Sequence, residues 1–436
     1  MLDSEALTKI QSIILIVVIV VAAVGAGVAY VLLIGNNQAS GTIKIGVLAD
    51  LDSFNGKKIW QGTLLAAEQI NSEGGLLGKQ IEVIGADHDI DSGVDVIQIN
   101  SALTKLITFN KVDFVIGQGG GQVALTCQEI VAEHKIIFID VNAADESSQR
   151  VLDNYNKYKY YFSTNWNETS IFQGMTDGLL MMREINGFNN VGIISESWGE
   201  PIIEGLEYVL PELYGFDLVY QAVFPYETVD FSSYYAAAEA AGVEVLLPLI
   251  SADGGIPFVK EYYDRQSPLF IYGGVIIPVT NPESWEWTDG KCENIITAGW
   301  PITTGYPLTR KTLSAREAYI NRWNATPAQQ GAMVYDIIRF ILPDAIERAR
   351  TIETDAVIEA LEQTSIETSM AKNFVFTSAH VAMVGENPVD PNEDYLLILL
   401  FQWQNGEQVP VYPKKIMEEA GATYTYPPWP GPWDTQ

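Results

Sequence analysis

Cysteine is almost missing from this chain. Only Cys127 and Cys292 occur in 436 residues. Two widely separated thiols offer no disulfide framework, so an ordinary hydrophobic core must hold the fold. Outside a cell the two could pair, but nothing in their spacing requires it. Histidine is also scarce: His88, His134 and His380 are scattered and form no zinc-ligand cluster with the cysteines. There is no Gly-x-Ser-x-Gly elbow, and no Ser, His and acid set can be proposed. The chain is therefore read as a non-enzyme without cofactors. Basic residues are the third scarcity, with 25 Lys and Arg against 55 Asp and Glu and a net charge of −30. Such a polyanion has little to offer phosphates, which argues against nucleic acid as a partner. Mutual repulsion suits a soluble surface protein instead. The run Asp87-His-Asp-Ile-Asp91-Ser-Gly93 faintly imitates a calcium loop. Ser92 and Gln98 stand where Gly and Glu are needed, so it reads as a solvated turn.

Long hydrophobic runs are absent too, with one exception. Ile13 to Leu33 is 21 consecutive residues without a charge, enough for a helix to span a bilayer core. Lys9 just before it favours a cytoplasmic N-terminus. The body would then lie outside the cell, held in the cell membrane by a single pass. A cleaved secretory peptide is the rival, although its apolar region is normally shorter, at about 7–15 residues. The expected plan is a leader at 1–9, a transmembrane helix at 10–34 and a polar tether at 35–41. About 395 residues follow the anchor, enough for two or three domains.

The body alternates short β-branched runs with amphipathic stretches. Strands are expected at Ile43–Leu48, Ile81–Ala86, Phe114–Gly117, Ile136–Asp140, Val191–Ser195, Leu218–Phe224, Glu244–Ile250 and Leu269–Gly273. Helices are expected at Gln61–Ile70, Val94–Phe109, Val123–Glu133, Ser170–Ile185 and Pro201–Leu210. Strands alternating with helices indicate βαβ units and parallel sheets, an α/β fold. Near the C-terminus come two helices, about Gly331–Arg350 and Thr354–Gln363, and a strand at Tyr395–Trp403. The tail YTYPPWPGPW is too rich in Pro for regular structure.

Several marks occur in a specific order: Gly62 and Ala66 on the first helix, Ile70-Asn71 at its end, and the turn Gly74-Gly75-x-x-Gly78. Asp87 and Asp89, Phe114-Val-Ile-Gly117, Tyr335-Asp336 and the block from Gln402 to Pro413 follow. This pattern resembles the type I periplasmic-type binding proteins of the branched-chain amino acid transporter class, over nearly all of Thr42 to Pro413. The resemblance implies two parallel-sheet lobes joined by three hinge crossings, with ligand in the cleft between them. Lobe one is expected at 42–162 plus 300–372, lobe two at 163–299 plus 373–413, and a Pro/aromatic tail at 414–436. The apolar head also resembles the prepilin-like leaders of archaeal surface binding proteins, although Thr8 and Lys9 do not clearly fit that processing site.

The loop Gly117-Gln-Gly-Gly-Gly121 lies between a strand and a helix. Gln122 stands where a dinucleotide fingerprint needs Gly, and the loop follows the third strand rather than the first. Its backbone N–H groups at a helix start suit a carboxylate or other anion. The resemblance makes Gly120, Gly121 and Gln122 candidate ligand contacts, with Asn142 and Ala144 after the next strand. Relatives carry a hydroxyl at the place Ala144 takes, and an acid for the ligand ammonium where this chain has Gly274-Val275-Ile276. Both departures disfavour plain leucine, isoleucine or valine; Asp253 is the best-placed replacement acid, with Ser251 beside it. Phe54, Trp166 and Trp198 are expected as cleft aromatics, with core packing the competing reading for both tryptophans. Asn167-Glu-Thr and Asn324-Ala-Thr are glycosylation sequons, the second the poorer acceptor because Pro327 follows.

The expected function is an extracytoplasmic solute-binding receptor of an ABC importer. It would take a small polar solute (amino-acid, amide or peptide-like) and dock on a membrane permease. Two alternatives stay open. One is a surface filament self-assembled through pilin-like N-terminal helices that displays the lobes. The other is a ligand-sensing ectodomain acting through a partner.

Overall fold

The β-branched runs pair into two parallel sheets. The computed structural model describes residues 41–88, 96–119, 121–251, 254–273, 275–385, 392 and 394–435. The expected leader, membrane helix and most of the tether lie outside the described residues, as do 89–93 of the acidic run. Among the described residues no helix is long and apolar enough to cross a membrane.

The first sheet contains β1 (Thr42–Ala49), β2 (Gln80–Asp87), β3 (Phe114–Gly117), β4 (Ile137–Asp140) and β5 (Tyr161–Ser163), in the order β2-β1-β3-β4-β5. Every pair is parallel. Such a sheet is covered on both faces, so β3 and β4 are buried throughout. Its register places Leu48, Gly117, Asp140 and Ser163 in one row. The loops after four strands therefore leave the sheet at the same level and on the same edge.

Helix α1 (Phe54–Ser72) starts at Ser53, whose hydroxyl accepts from the Gly56 N–H at 3.0 Å. Ile59, Ala66 and Ile70 form its buried face. Gly62 has a packing reason: a Cβ there would sit 2.2 Å from the Gly331 carbonyl on the late helix α9 (Gln329–Asp336). Asn71 ties the end of α1 to β2, exchanging hydrogen bonds with the Ile81 N–H and carbonyl at 2.7 and 2.9 Å. The remaining helices of this lobe include α2 (Val96–Thr104), α3 (Gly121–His134), α4 (Asp145–Asp153) and, beyond the second lobe, α8 (Thr312–Trp323).

The chain crosses to the second lobe after β5 and enters α5 (Glu168–Asn186). There β6 (Asn190–Glu196), β7 (Asp217–Phe224), β8 (Val245–Ile250), β9 (Phe270–Ile271) and β10 (Val275–Ile276) form a second parallel sheet. Helices α6 (Glu200–Tyr214) and α7 (Gly255–Arg265) accompany it. An antiparallel sheet of β11 (Ile296–Gly299), β12 (Leu399–Gln404) and β13 (Glu407–Tyr412) extends this lobe. A bridge between Tyr272 and Ile296 joins the two sheets.

Residues 374–381 pack beside β5, where the first crossing leaves lobe one. Phe376 packs on Phe162, and the His380 ring stacks on Phe162 at 4.0 Å. The Ser163 N–H donates to the His380 carbonyl, and the Ala382 N–H to that of Ser163. The third passage thus runs beside the first. Cys127 and Cys292 are both free and buried, in different lobes. The tail differs partly from expectation. Lys414–Glu419 forms a short helix (α10) and Pro432–Thr435 a 3-10 turn, while the segment between has neither helix nor strand.

Candidate functional site

The C-terminal edges of the two parallel sheets carry the candidate residues, where open α/β sheets bind ligand. On lobe one Phe54 follows β1, Gly121 and Gln122 follow β3, Asn142 and Ala144 follow β4, and Trp166 follows β5. On lobe two Trp198 lies in a 3-10 turn after β6, Ser251 follows β8, and Val275 of β10 pairs with Leu249 of β8. Gly120 and Asp253 lie outside the described residues, as do the side chains of Trp198 and Val275.

Asp140 organises the lobe-one loops. It ends β4, is fully buried, and accepts from the Gly119 N–H at 2.8 Å and the Asn142 N–H at 2.7 Å. The Tyr161 hydroxyl donates to its other oxygen. Burial, then the Asp140 charge, pushes the Tyr161 phenol well up, so it stays a donor. Gly119 has no room for a side chain, because a Cβ would fall 1.9 Å from Asp140 Oδ2. The backbone carbonyl of Asp140 accepts from Thr164, through both its N–H and its hydroxyl at 3.0 Å. One residue therefore orders the loops after β3, β4 and β5.

Asn142 is partly engaged within this framework. Its Nδ2 donates to the Gly119 carbonyl at 2.9 Å, and its Oδ1 accepts from Gln330 at 3.4 Å. Ala144 is 3% exposed and caps α4, its carbonyl accepting the Ser147 and Ser148 hydroxyls at 2.8 and 3.1 Å. Gln122 is exposed in the first turn of α3 and borders a groove with Val96, Asn100 and Arg150 on the helix layer. Asn167 caps α5, accepting from the Ser170 N–H at 3.0 Å. Asn324 is exposed at the end of α8.

Trp166 meets a residue that sequence reasoning missed. Its indole stacks on Trp300 at 4.6 Å and 18°. Trp166 follows β5 and Trp300 follows β11, so the stack joins two hinge crossings. Each tryptophan is 4% exposed, and neither Nε1 has a hydrogen-bond partner among the described residues. The Thr303 hydroxyl and Gln118 Oε1 are likewise buried without partners there. An unmet buried donor is costly, so such groups call for explanation. Trp300 follows β11, ITAG, whose small and polar residues interrupt the apolar run that would have marked the strand.

On lobe two Glu196 ends β6 and is fully buried. Its Oε2 accepts the Ser251 N–H at 2.7 Å and the Ser251 hydroxyl at 2.5 Å. Phe54 reaches across the cleft, with its ring edge-on to Trp287 of lobe two at 5.4 Å. Among the described residues no group of three His, Cys, Asp or Glu could hold a metal.

This chain belongs to the periplasmic binding protein family, whose model matches residues 42–386. The Leu/Ile/Val-binding protein homolog 7 of Brucella suis biovar 1 is 22% identical over 406 residues, covering 88% of this chain and 94% of that protein. The branched-chain amino acid transporter substrate-binding protein LivJ of Streptococcus pneumoniae, solved with isoleucine, superposes with a TM-score of 0.69 at 18% identity. It covers 85% of this chain and 99% of LivJ. A solute-binding protein of an ABC transporter from R. palustris, solved with benzoate, gives a TM-score of 0.67 at 16% identity, over 85% of this chain and 96% of its own. The two parallel-sheet lobes expected from the resemblance are thus present, and the chain is a solute-binding protein by family.

Proposed function

We propose that this protein is an extracytoplasmic receptor that captures a small polar solute between its lobes and delivers it to an ABC permease. The carrying observation is the Trp166–Trp300 stack, with two buried indole N–H groups unmet at the crossings. Those donors suit a solute with a carboxylate or amide carbonyl, and the ring faces suit an apolar body. Gln118 Oε1 adds an acceptor on the loop after β3, two strands from β5 or about 10 Å. A donor pair and an acceptor at that spacing fit an amide- or peptide-like solute. Isoleucine and benzoate, the ligands of two relatives, share a carboxylate and an apolar body.

Plain leucine, isoleucine or valine fits less well. No hydroxyl is offered at Ala144, and the Ser251 hydroxyl already donates to Glu196. The apolar segment at 10–34 would anchor the body to the outside of the cell membrane.

Calorimetry with N-acetyl-leucine amide, benzoate and the three branched-chain amino acids tests this reading. The amide is expected to bind most tightly. Trp166→Phe and Trp300→Phe keep a stacked ring but lose the N–H, and each should weaken it about tenfold, one hydrogen bond's worth. Micromolar binding of a branched-chain amino acid, undiminished in both variants, would sink the proposal.

A further inference from the structure

We infer that the lobes carry their own clasp, built from Phe54 and Lys58 on lobe one and Glu283 and Trp287 on lobe two, which biases the cleft toward closure before any solute enters. Phe54 and Lys58 lie one turn apart at the start of α1, so their side chains project from the same face. Glu283 and Trp287 have the same spacing in the connection between β10 and β11, which is fixed to lobe two. There Lys260 donates to the Trp287 carbonyl at 3.1 Å, and Trp285 stacks on Trp403. Two matched pairs thus face each other across the cleft.

Their chemistry is complementary. Lys58 Nζ lies 3.3 Å from Glu283 Oε1, while the Phe54 ring meets Trp287 edge-on at 5.4 Å. The ammonium also donates to the Thr326 carbonyl at 2.8 Å and lies 5.2 Å from the centre of the Phe54 ring. Lys58 is 6% exposed, an unusual place for a lysine unless it is paired. The Glu283 side chain is 28% exposed, so solvent screens this pair less than a surface ion pair. Trp287 itself is 38% exposed. Opening the cleft would leave the ammonium with only the Thr326 carbonyl and the Phe54 and Tyr319 rings for company, and would expose the Phe54 and Trp287 rings further. Each of those costs opposes opening.

The clasp rests on reading the cleft as the binding site, and it sets how much of the population is closed and competent. The apparent solute affinity scales with that fraction. Lys58, Glu283 and Trp287 are therefore positioning residues, whose effect reaches the solute through the lobes.

Pulsed electron spin resonance on the full chain in detergent, without added solute, provides the test. Lys57 and Glu286 are exposed and flank the clasp on either lobe, so spin labels at Lys57→Cys and Glu286→Cys measure its opening. Cys127 and Cys292 are buried, and burial pushes both thiols up, so they should stay unlabelled. The parent is expected to show mainly one short distance. Glu283→Gln and Trp287→Ala should each add a longer population, with melting temperatures near the parent's. A longer distance in either variant supports the clasp. Distributions that superimpose on the parent in both variants, or a parent already long, would overturn it. Because no solute is added, the result is independent of the solute assignment.

Discussion

Asp140 and Asp336 are both buried carboxylates, yet their settings differ. Asp140 accepts from two backbone N–H groups and a phenol, and so fixes three loops. Asp336 accepts from the Ser369 N–H at 2.9 Å, while its Oδ1 has no partner among the described residues. Burial pushes the Asp336 carboxyl up from its ordinary 3.8 to about 6, against the bonds from Ser369 and Thr368 and the charge of Lys311. A folded value above the unfolded one means the native state prefers the protonated acid. That preference stabilises fully below about pH 4 and is lost as pH rises through about 6. Above it, the buried charge costs on the order of 3 kcal/mol. Asp336→Asn removes the charge and keeps an acceptor for Ser369. The variant should melt above the parent at pH 7.5, and the gap should shrink steadily toward pH 4.5. A gap that stays constant with pH would show that this carboxyl titrates normally. The Tyr335-Asp336 mark was legible in the sequence, but the strain on its carboxyl was not, because that depends on burial and on Ser369, 33 residues away.

At the scale of elements, helical periods and unbroken apolar runs were legible, and interrupted runs were not. The expected helix Ser170–Ile185 corresponds to α5, read from its helical period, and the strand Phe114–Gly117 to β3, read as a short bounded apolar run. β5, YFS, is only three residues, and in β11, ITAG, Thr, Ala and Gly break the apolar run that made the equally short β3 readable. β5 and β11 carry the crossings at which Trp166 and Trp300 meet, so half of the stack went unseen. Helix α8 was also missed; its buried face is only Thr312, Ala315 and Tyr319. The tail was read correctly as Pro-rich, but its packing could not be foreseen. Trp429 lies against Tyr262 and Tyr263 of α7 and donates to the Ser267 carbonyl at 2.7 Å. Trp433 lies against Phe270 of β9. Replacing a core Trp with Ala costs about 3–5 kcal/mol. Trp429→Ala should therefore lower the melting temperature of the full chain by several degrees. An unchanged melting temperature would reduce the tail to an ornament on lobe two.

The whole molecule brings together residues that lie far apart along the chain. Lys58 and Glu283 are 225 positions apart, and Asn142 meets Gln330 across 188. Composition could argue against nucleic acid as a partner, and the order of marks could point to two lobes. Only the fold pairs Phe54 with Trp287 or sets the third passage beside Ser163. The proposed receptor holds one small solute between these lobes. Native mass spectrometry of the purified full chain, challenged with amino acids, amides and aromatic carboxylates, puts this to the test. One solute mass per chain is expected, retained by the parent and largely lost when Trp166 and Trp300 are both replaced by alanine. A parent that shows only its bare mass across the whole panel, or equal retention in the double variant, would contradict it.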